Sequence, residues 1–374
     1  MKPKHSGDLR KAIIGEWFLG ISLATTITFA LIAETLFDAL SNPLWLAFIF
    51  IWLFGVVMGS ALSVVRHADH IAEILGEPYG TLVLTLSVTV IEVLSISAVM
   101  LHGENNPTLV RDTLFAIVMI ILGGMIGGSL LLGGWRNMEQ HYNLQSANAY
   151  LGVIIPLSVL TLTLPDFTTT TAGPTLSFAQ QIFLCVMSVG LYVAFLAIQT
   201  GRHRGYFISD GDDATKPPAL PRAARSLRWH ASLLLAYILP VVFLAEQLAH
   251  PIDYFIETLK APAALGGIAI AMLVATPEAI GATRSAMANR LQRSINISLG
   301  SVLSTIGLTV PAMLAVSQFT RHEVYLGLNK ANDVLLLLTL VVCIVTFASG
   351  RTNVLQGAVH VVLFAAFLML VVQG

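Results

Sequence analysis

Apolar residues come in runs of about twenty, separated by short polar segments, along most of the chain. A run of that length makes a helix that crosses a bilayer core of about 30 Å. The pattern predicts about eleven spans, over 13–36, 43–65, 79–101, 110–133, 147–165, 175–199, 229–249, 262–283, 294–316, 331–348 and 352–372. A β-barrel requires alternation with a period of two. The stretch 335–347, which reads LLLLTLVVCIVTF, does not alternate, so the spans are helices. The first apolar run is long and is followed at once by another, which predicts no cleaved signal peptide.

Composition agrees with this reading. Of 374 residues 56% are hydrophobic and only 11% charged, whereas a soluble domain carries about 25% charged residues. The charge balance is near neutral, with 20 Lys and Arg against 21 Asp and Glu, and offers no global attraction for nucleic acid. Cys185 and Cys343 lie far apart in apolar runs and read as small core residues.

Lys and Arg set the direction of the spans. With the N-terminus in the cytoplasm, sixteen of the twenty fall inside, and only Arg111, Lys260, Arg321 and Lys330 fall outside. The expected topology therefore has a cytoplasmic N-terminus and an external C-terminus. One hydrophilic stretch, 201–228, carries the acidic run 209–213 and three prolines and reads as a cytoplasmic linker. It divides the chain into 1–42, an N-terminal tail with one extra helix; 43–200, a first set of five helices; the linker; and 229–374, a second set of five. An odd number per half turns the second half upside down relative to the first, as in transporters with inverted repeats. The expected fold class is thus an all-α membrane protein, with one N-terminal helix and two inverted five-helix repeats.

The two halves match at one chemically meaningful position. Glu92 follows Gly80 by twelve residues, and Glu278 follows Gly266 by twelve, each in the second span of its half. A helical rise of 1.5 Å per residue puts Glu92 roughly 15–20 Å into its span. Other acids, such as Glu16, Glu34, Asp38, Asp112, Asp166, Glu246 and Asp333, fall near span ends. A charged carboxylate at the bilayer centre costs at least ~2.5–3.5 kcal/mol, and intramembrane acids usually mark an ion or proton pathway. No Lys or Arg is placed deep in a span to neutralise the pair. Such a pair holds protons until a hard cation displaces them, which is exchange in its simplest form.

Hard cations want oxygen ligands. Thr85, Thr89, Ser95 and Ser97 accompany Glu92; Thr276 and Thr283 accompany Glu278; and the ninth span adds Ser298, Ser301, Ser304, Thr305 and Thr309. Thr89, Thr276, Ser301 and Ser304 are the candidate supporting ligands. Pro277 removes a helix donor and frees the carbonyl of Leu273. No Cys/His cluster accompanies the glutamates, which disfavours Zn²⁺ or Cu⁺. Gly123, Gly124, Gly127 and Gly128 in the fourth span read first as close helix packing.

At these residues the chain resembles the calcium/cation antiporter superfamily, in particular the cation/proton exchanger branch and its bacterial ChaA-type Ca²⁺/H⁺ (and Na⁺, K⁺/H⁺) antiporters. The resemblance rests on Ala68-Asp69-His70-Ile71-Ala72-Glu73, Leu75-Gly76-Glu77-Pro78-Tyr79-Gly80-Thr81-Leu82, Val90-Ile91-Glu92, Ala275-Thr276-Pro277-Glu278-Ala279-Ile280 and Asn296-Ile297-Ser298-Leu299-Gly300-Ser301. It implies a secondary antiporter in the bacterial inner membrane that exports Ca²⁺, with Na⁺ or K⁺ as further cargo, against H⁺. Glu92 and Glu278 would be its cation and proton ligands. It implies no cofactor, and its partners are lipid, inorganic cations and protons. The Gly-Asn pair that the wider family carries ahead of each glutamate is replaced here by Val88-Thr89 and Val274-Ala275.

A Na⁺-driven Ca²⁺ exchanger is the alternative within transport. A cation channel is disfavoured because channels rely on symmetric rings or carbonyl filters. An intramembrane enzyme is remote, since neither HExxH nor GxSxG occurs. His67, His70 and Glu73 read as the wet face of an interfacial helix, with metal binding or pH sensing as the sharper reading. His360 reads as a histidine satisfied by a neighbouring helix, and Asn329, Asn332 and Asp333 as a helix start. The acidic run 209–213 lacks the calcium-loop pattern and reads as solvated linker, and Thr168–Thr171 as an external loop.

Overall fold

The computed structural model describes residues 16–76, 79–102, 106–207 and 226–373. The described residues form eleven long helical rods: α1 (Trp17–Phe37), α2 (Pro43–Leu75), α3 (Tyr79–Met100), α4 (Leu109–Asn137), α5 (Leu144–Phe167), α6 (Phe178–Thr200), α7 (Leu227–Thr258), α8 (Ala264–Met287), α9 (Leu291–Thr320), α10 (Lys330–Thr346) and α11 (Val354–Gln373). Ten are long and apolar enough to span a membrane; α10, with 17 residues, is shorter. This is an all-α multi-span membrane protein. The acidic run 209–213 and the N-terminal tail before residue 16 lie outside the described residues.

Capping residues start several helices. Asn42 accepts from Leu44 N at 3.0 Å ahead of Pro43, and Asn143 accepts from Gln145 N at 2.9 Å. Ser177 and Gln180 form a reciprocal capping box, and Asn329 accepts from Asn332 N at 2.9 Å, as the helix-start reading expects. Each side-chain oxygen satisfies a backbone donor that the first helical turn leaves open.

The spans differ from the sequence reading mainly at their ends. The helix predicted over 43–65 runs on to Leu75, because nothing breaks it before Gly76, whose φ is 65°. The segment with His67, His70 and Glu73 is therefore part of α2, not a separate interfacial helix. Nor is His67 on a wet face: it is 1% exposed, and its Nδ1 lies 3.0 Å from His230 Nδ1 on α7. His70 and Glu73 do remain at the surface, 3.5 Å apart. The helix predicted over 229–249 likewise extends, to Thr258.

Four of the described helices change their winding, α5 at Val159–Thr163 and α7 at its end, Tyr254–Thr258, and two more in mid-course. α4 has a π-helical turn at Ile120–Met125, and α9 has one at Thr305–Thr309. A π turn widens the helix by one residue and re-aims the side chains that follow, and such turns are frequent at functional sites.

The apolar interior falls into two clusters. One joins α1, α2 and α7 through Phe29, Leu53, Val57, Tyr237 and Leu244. The other joins α4, α5, α9, α10 and α11 through residues such as Leu114, Ile154, Val302, Leu336 and Phe367. α3 and α8 lie between them. Ile91 of α3 and Leu273 of α8 pack in the first cluster, whereas Ile96 and Ala275 of the same helices pack in the second.

α4 and α11 approach closely, as the glycines of the fourth span predict. A Cβ at Gly127 would stand 2.9 Å from Val361 N, and one at Gly357 would stand 2.6 Å from Leu131 N. His360 is buried between the same helices, with Nδ1 2.7 Å from Leu122 O and Nε2 3.0 Å from Thr346 Oγ1. Both ring nitrogens are thus engaged, in agreement with the core reading. A two-residue ladder, β1 (Gln140–His141) with β2 (Arg351–Thr352), ties the turn after α4 to the turn before α11. Cys343 is buried and Cys185 half-buried, and both are free thiols.

Candidate ion-binding site

α3 and α8 bring Glu92 and Glu278 to the seam between the two apolar clusters. Glu92 is 1% exposed, and its carboxylate feels the charge of Glu278. The two glutamates singled out in the sequence are thus within electrostatic reach of each other, one from each half of the chain.

The π turn of α9 supplies the contacts to Glu92. Thr305 Oγ1 donates to Glu92 Oε2 at 3.1 Å. Thr309, one turn on, stands beside the same carboxylate without closing a hydrogen bond. Thr305 and Thr309 are both almost fully buried. Their i, i+4 spacing puts both hydroxyls on one side of α9, and the packing of α9 against α3 turns that side onto Glu92.

Four buried oxygens of the glutamates and nearby threonines have no hydrogen-bond partner among the described residues: Glu92 Oε1, Glu278 Oε2, Thr89 Oγ1 and Thr309 Oγ1. Buried polar atoms are nearly always paired, so a cluster of orphans calls for a functional explanation. All four are oxygens, the donor type that hard cations and protons take. Among the described residues no Lys or Arg forms an ion pair with either glutamate, and no group of three or more His, Cys, Asp or Glu has the geometry of a resident metal site.

The predicted supporting residues divide by where their hydroxyls point. Thr89 is buried beside Glu92 on α3 with its Oγ1 unpartnered. Thr276 Oγ1 donates back to Met272 O in its own helix. Ser304 Oγ donates to Ser301 O at 2.9 Å, and both serines line a cavity that reaches Glu278. Pro277 lies inside α8 and cannot donate to Leu273 O, so that carbonyl has lost its helical partner beside the site.

The cavity beside Glu278 has a volume of about 220 Å³. Its walls include Thr85 of α3, Tyr150 of α5, Gln199 of α6 and Arg293 and Asn296 of α9. Gln199 is near the last turn of α6 and Arg293 is in the first turn of α9, so the cavity runs from Glu278 towards the end of the bundle where α6 stops and α9 starts. Gln199 Nε2 donates to Tyr150 Oη at 3.0 Å across this wall. Sequence reading missed Arg293 as part of the site. It belongs to a span end, and only the packing of α9 beside α8 turns its side chain into the same space as Glu278.

Comparison with known proteins gives this geometry a context. The family model described as "Sodium/calcium exchanger protein" matches residues 45–201 and 229–373. The chain is 40% identical over 333 residues to the sodium-potassium/proton antiporter ChaA of Escherichia coli strain K12, a match that covers 87% of this chain and 89% of that one. It is 22% identical over 275 residues to the Ca²⁺/H⁺ antiporter ChaA of Bacillus subtilis strain 168, with 70% and 76% covered. The solved structure of native YfkE superimposes with a TM-score of 0.73 at 19% identity, covering 95% of this chain and 100% of that chain, and so has the same fold.

Proposed function

This chain belongs to the sodium/calcium exchanger protein family, a family of membrane transporters and not enzymes, and on that premise we propose that it exchanges Ca²⁺, Na⁺ or K⁺ for H⁺ at Glu92 and Glu278. The observation that carries the reading is the set of orphaned oxygens on Glu92, Glu278 and two threonines, with the glutamates within electrostatic reach of each other and neither ion-paired to a Lys or Arg among the described residues. An ionised carboxylate in that setting is stabilised by a bound cation, and a neutral one by a bound proton. The two states exclude each other, so one ion leaves as the other arrives.

Exchange also requires the site to face one side at a time. The matching positions of the glutamates and the odd number of spans in each half support two inverted five-helix repeats, 43–200 and 229–374, after an extra helix within 1–42. The division of the core favours α2 and α7 moving together against the remaining helices, with Glu92 and Glu278 at the sliding seam. The Lys and Arg bias supports a bacterial inner-membrane protein with a cytoplasmic N-terminus and an external C-terminus. On that topology the cavity beside Glu278 opens to the cytoplasm.

Everted vesicles carrying a pH gradient test this directly, with Ca²⁺, Na⁺ and K⁺ offered separately. The expected result is cation-dependent proton release whose half-saturating cation concentration falls as pH rises, because protons compete for the same oxygens. Exchange that persists in a Glu92→Gln, Glu278→Gln double variant overturns the site assignment.

A further inference from the structure

The cavity leading to Glu278 contains a fixed positive charge. Among the described residues, Glu278 and Arg293 are the only Asp, Glu, Lys or Arg side chains in its lining. A guanidinium on the approach to a cation site is costly for the cargo, since arginine stays charged at any working pH. Asp69, on the exposed side of α2, is within electrostatic reach of both Arg293 and Glu278. Glu73 and His70 also interact with Asp69, but Asp69 alone of the three bears on Glu278. The charges bearing on the approach are thus Asp69 and Glu278, both negative, and Arg293, positive.

We infer that Arg293, balanced by Asp69, sets the preference of this pathway for monovalent over divalent cations. The inference rests on the antiporter reading above and deepens it by naming what selects the cargo. With Glu278 ionised and Glu92 protonated, Asp69, Glu278 and Arg293 sum to a single negative charge, which one monovalent cation neutralises. Coulomb energy scales with the charge of the ion, so each unit of wall charge acts twice as strongly on Ca²⁺ as on Na⁺. Removing the guanidinium therefore favours the divalent ion, and removing the Asp69 carboxylate disfavours it. The cavity walls concentrate the field between them, so the effect is felt at Glu278 and not only at the mouth.

The test is the ratio of half-saturating concentrations for Na⁺ and Ca²⁺, measured by proton release in everted vesicles at one pH and ionic strength. Arg293→Gln shifts the ratio towards Ca²⁺ by about threefold to tenfold, and Asp69→Asn shifts it the other way. Arg293→Lys, which keeps the charge, retains the wild-type ratio and shows that the fold tolerates the change. Raising the salt concentration with a non-transported electrolyte narrows the gap between Arg293→Gln and wild type. An unchanged ratio in Arg293→Gln, or a shift of the same sign in Asp69→Asn, overturns the inference. These outcomes are separate from the fate of the glutamate pair: loss of exchange in Glu92→Gln and Glu278→Gln with no ratio change in Arg293→Gln keeps the antiporter reading and removes only this one.

Discussion

Thr305 donates its hydroxyl to Glu92 at 3.1 Å from within the π turn of α9, and so joins the second half of the chain to the buried acid of the first. The bond connects residues more than two hundred positions apart. It orients one carboxylate oxygen and leaves Oε1 open. Hydrogen bonds to a charged acceptor contribute about 1.5–3 kcal/mol. Thr305→Val, which keeps the shape and removes the donor, should therefore weaken apparent cation affinity about tenfold or more in a vesicle flux assay. Thr276→Val should change it little, since the Thr276 hydroxyl is committed to Met272 O.

The glutamates themselves should differ in exposure to reagent. Glu92 is sealed at 1% exposure, whereas Glu278 borders the cavity. A water-soluble carbodiimide applied from the cavity side should inactivate the transporter by modifying Glu278, and a saturating cation should protect it. Peptide mapping by mass spectrometry after labelling distinguishes the two sites; modification of Glu92 at an equal rate would contradict the sealed geometry.

His360 is expected to be structural. Its two ring nitrogens join the π turn of α4, through Leu122 O, to Thr346 at the end of α10. His360→Leu leaves both partners buried and unpaired, at a cost of about 1–3 kcal/mol for each orphaned group. A lowered melting temperature in detergent, with the coupled ion unchanged in the folded fraction, is the expected outcome. A change in the coupling ion instead would make His360 part of the proton path.

The glycines of α4 and of its contact with α11 make a graded set. Gly127→Ala places a methyl group 2.9 Å from the Val361 backbone nitrogen, and Gly357→Ala places one 2.6 Å from that of Leu131. Backbone on both sides leaves little to yield, so α4 and α11 must separate, at a cost of about 1–3 kcal/mol. Gly128→Ala meets nothing within 4 Å and should be neutral or slightly stabilising. Melting curves of the three purified variants check the order.

Much of this molecule was legible in its sequence. Burial in lipid forces every backbone donor and acceptor into a helix, so apolar run length alone gave the number and order of the spans. The desolvation cost of a carboxylate marked Glu92 and Glu278 against nineteen other acids. Resemblance at those motifs pointed to the exchanger family before any comparison of whole chains. What remained was decided by tertiary structure. Residues 66–75 continue α2 because helix propensity carries on past the lipid boundary until a glycine stops it, and the apolar pattern cannot see that. Thr305 and Thr309 share a face of α9 by their spacing, but only the packing of α9 against α3 brings that face onto Glu92. Arg293 shares a cavity with Glu278 only because α9 packs beside α8. A chain written in one dimension fixes which groups are costly to bury, but which of them meet depends on how the helices turn and pack.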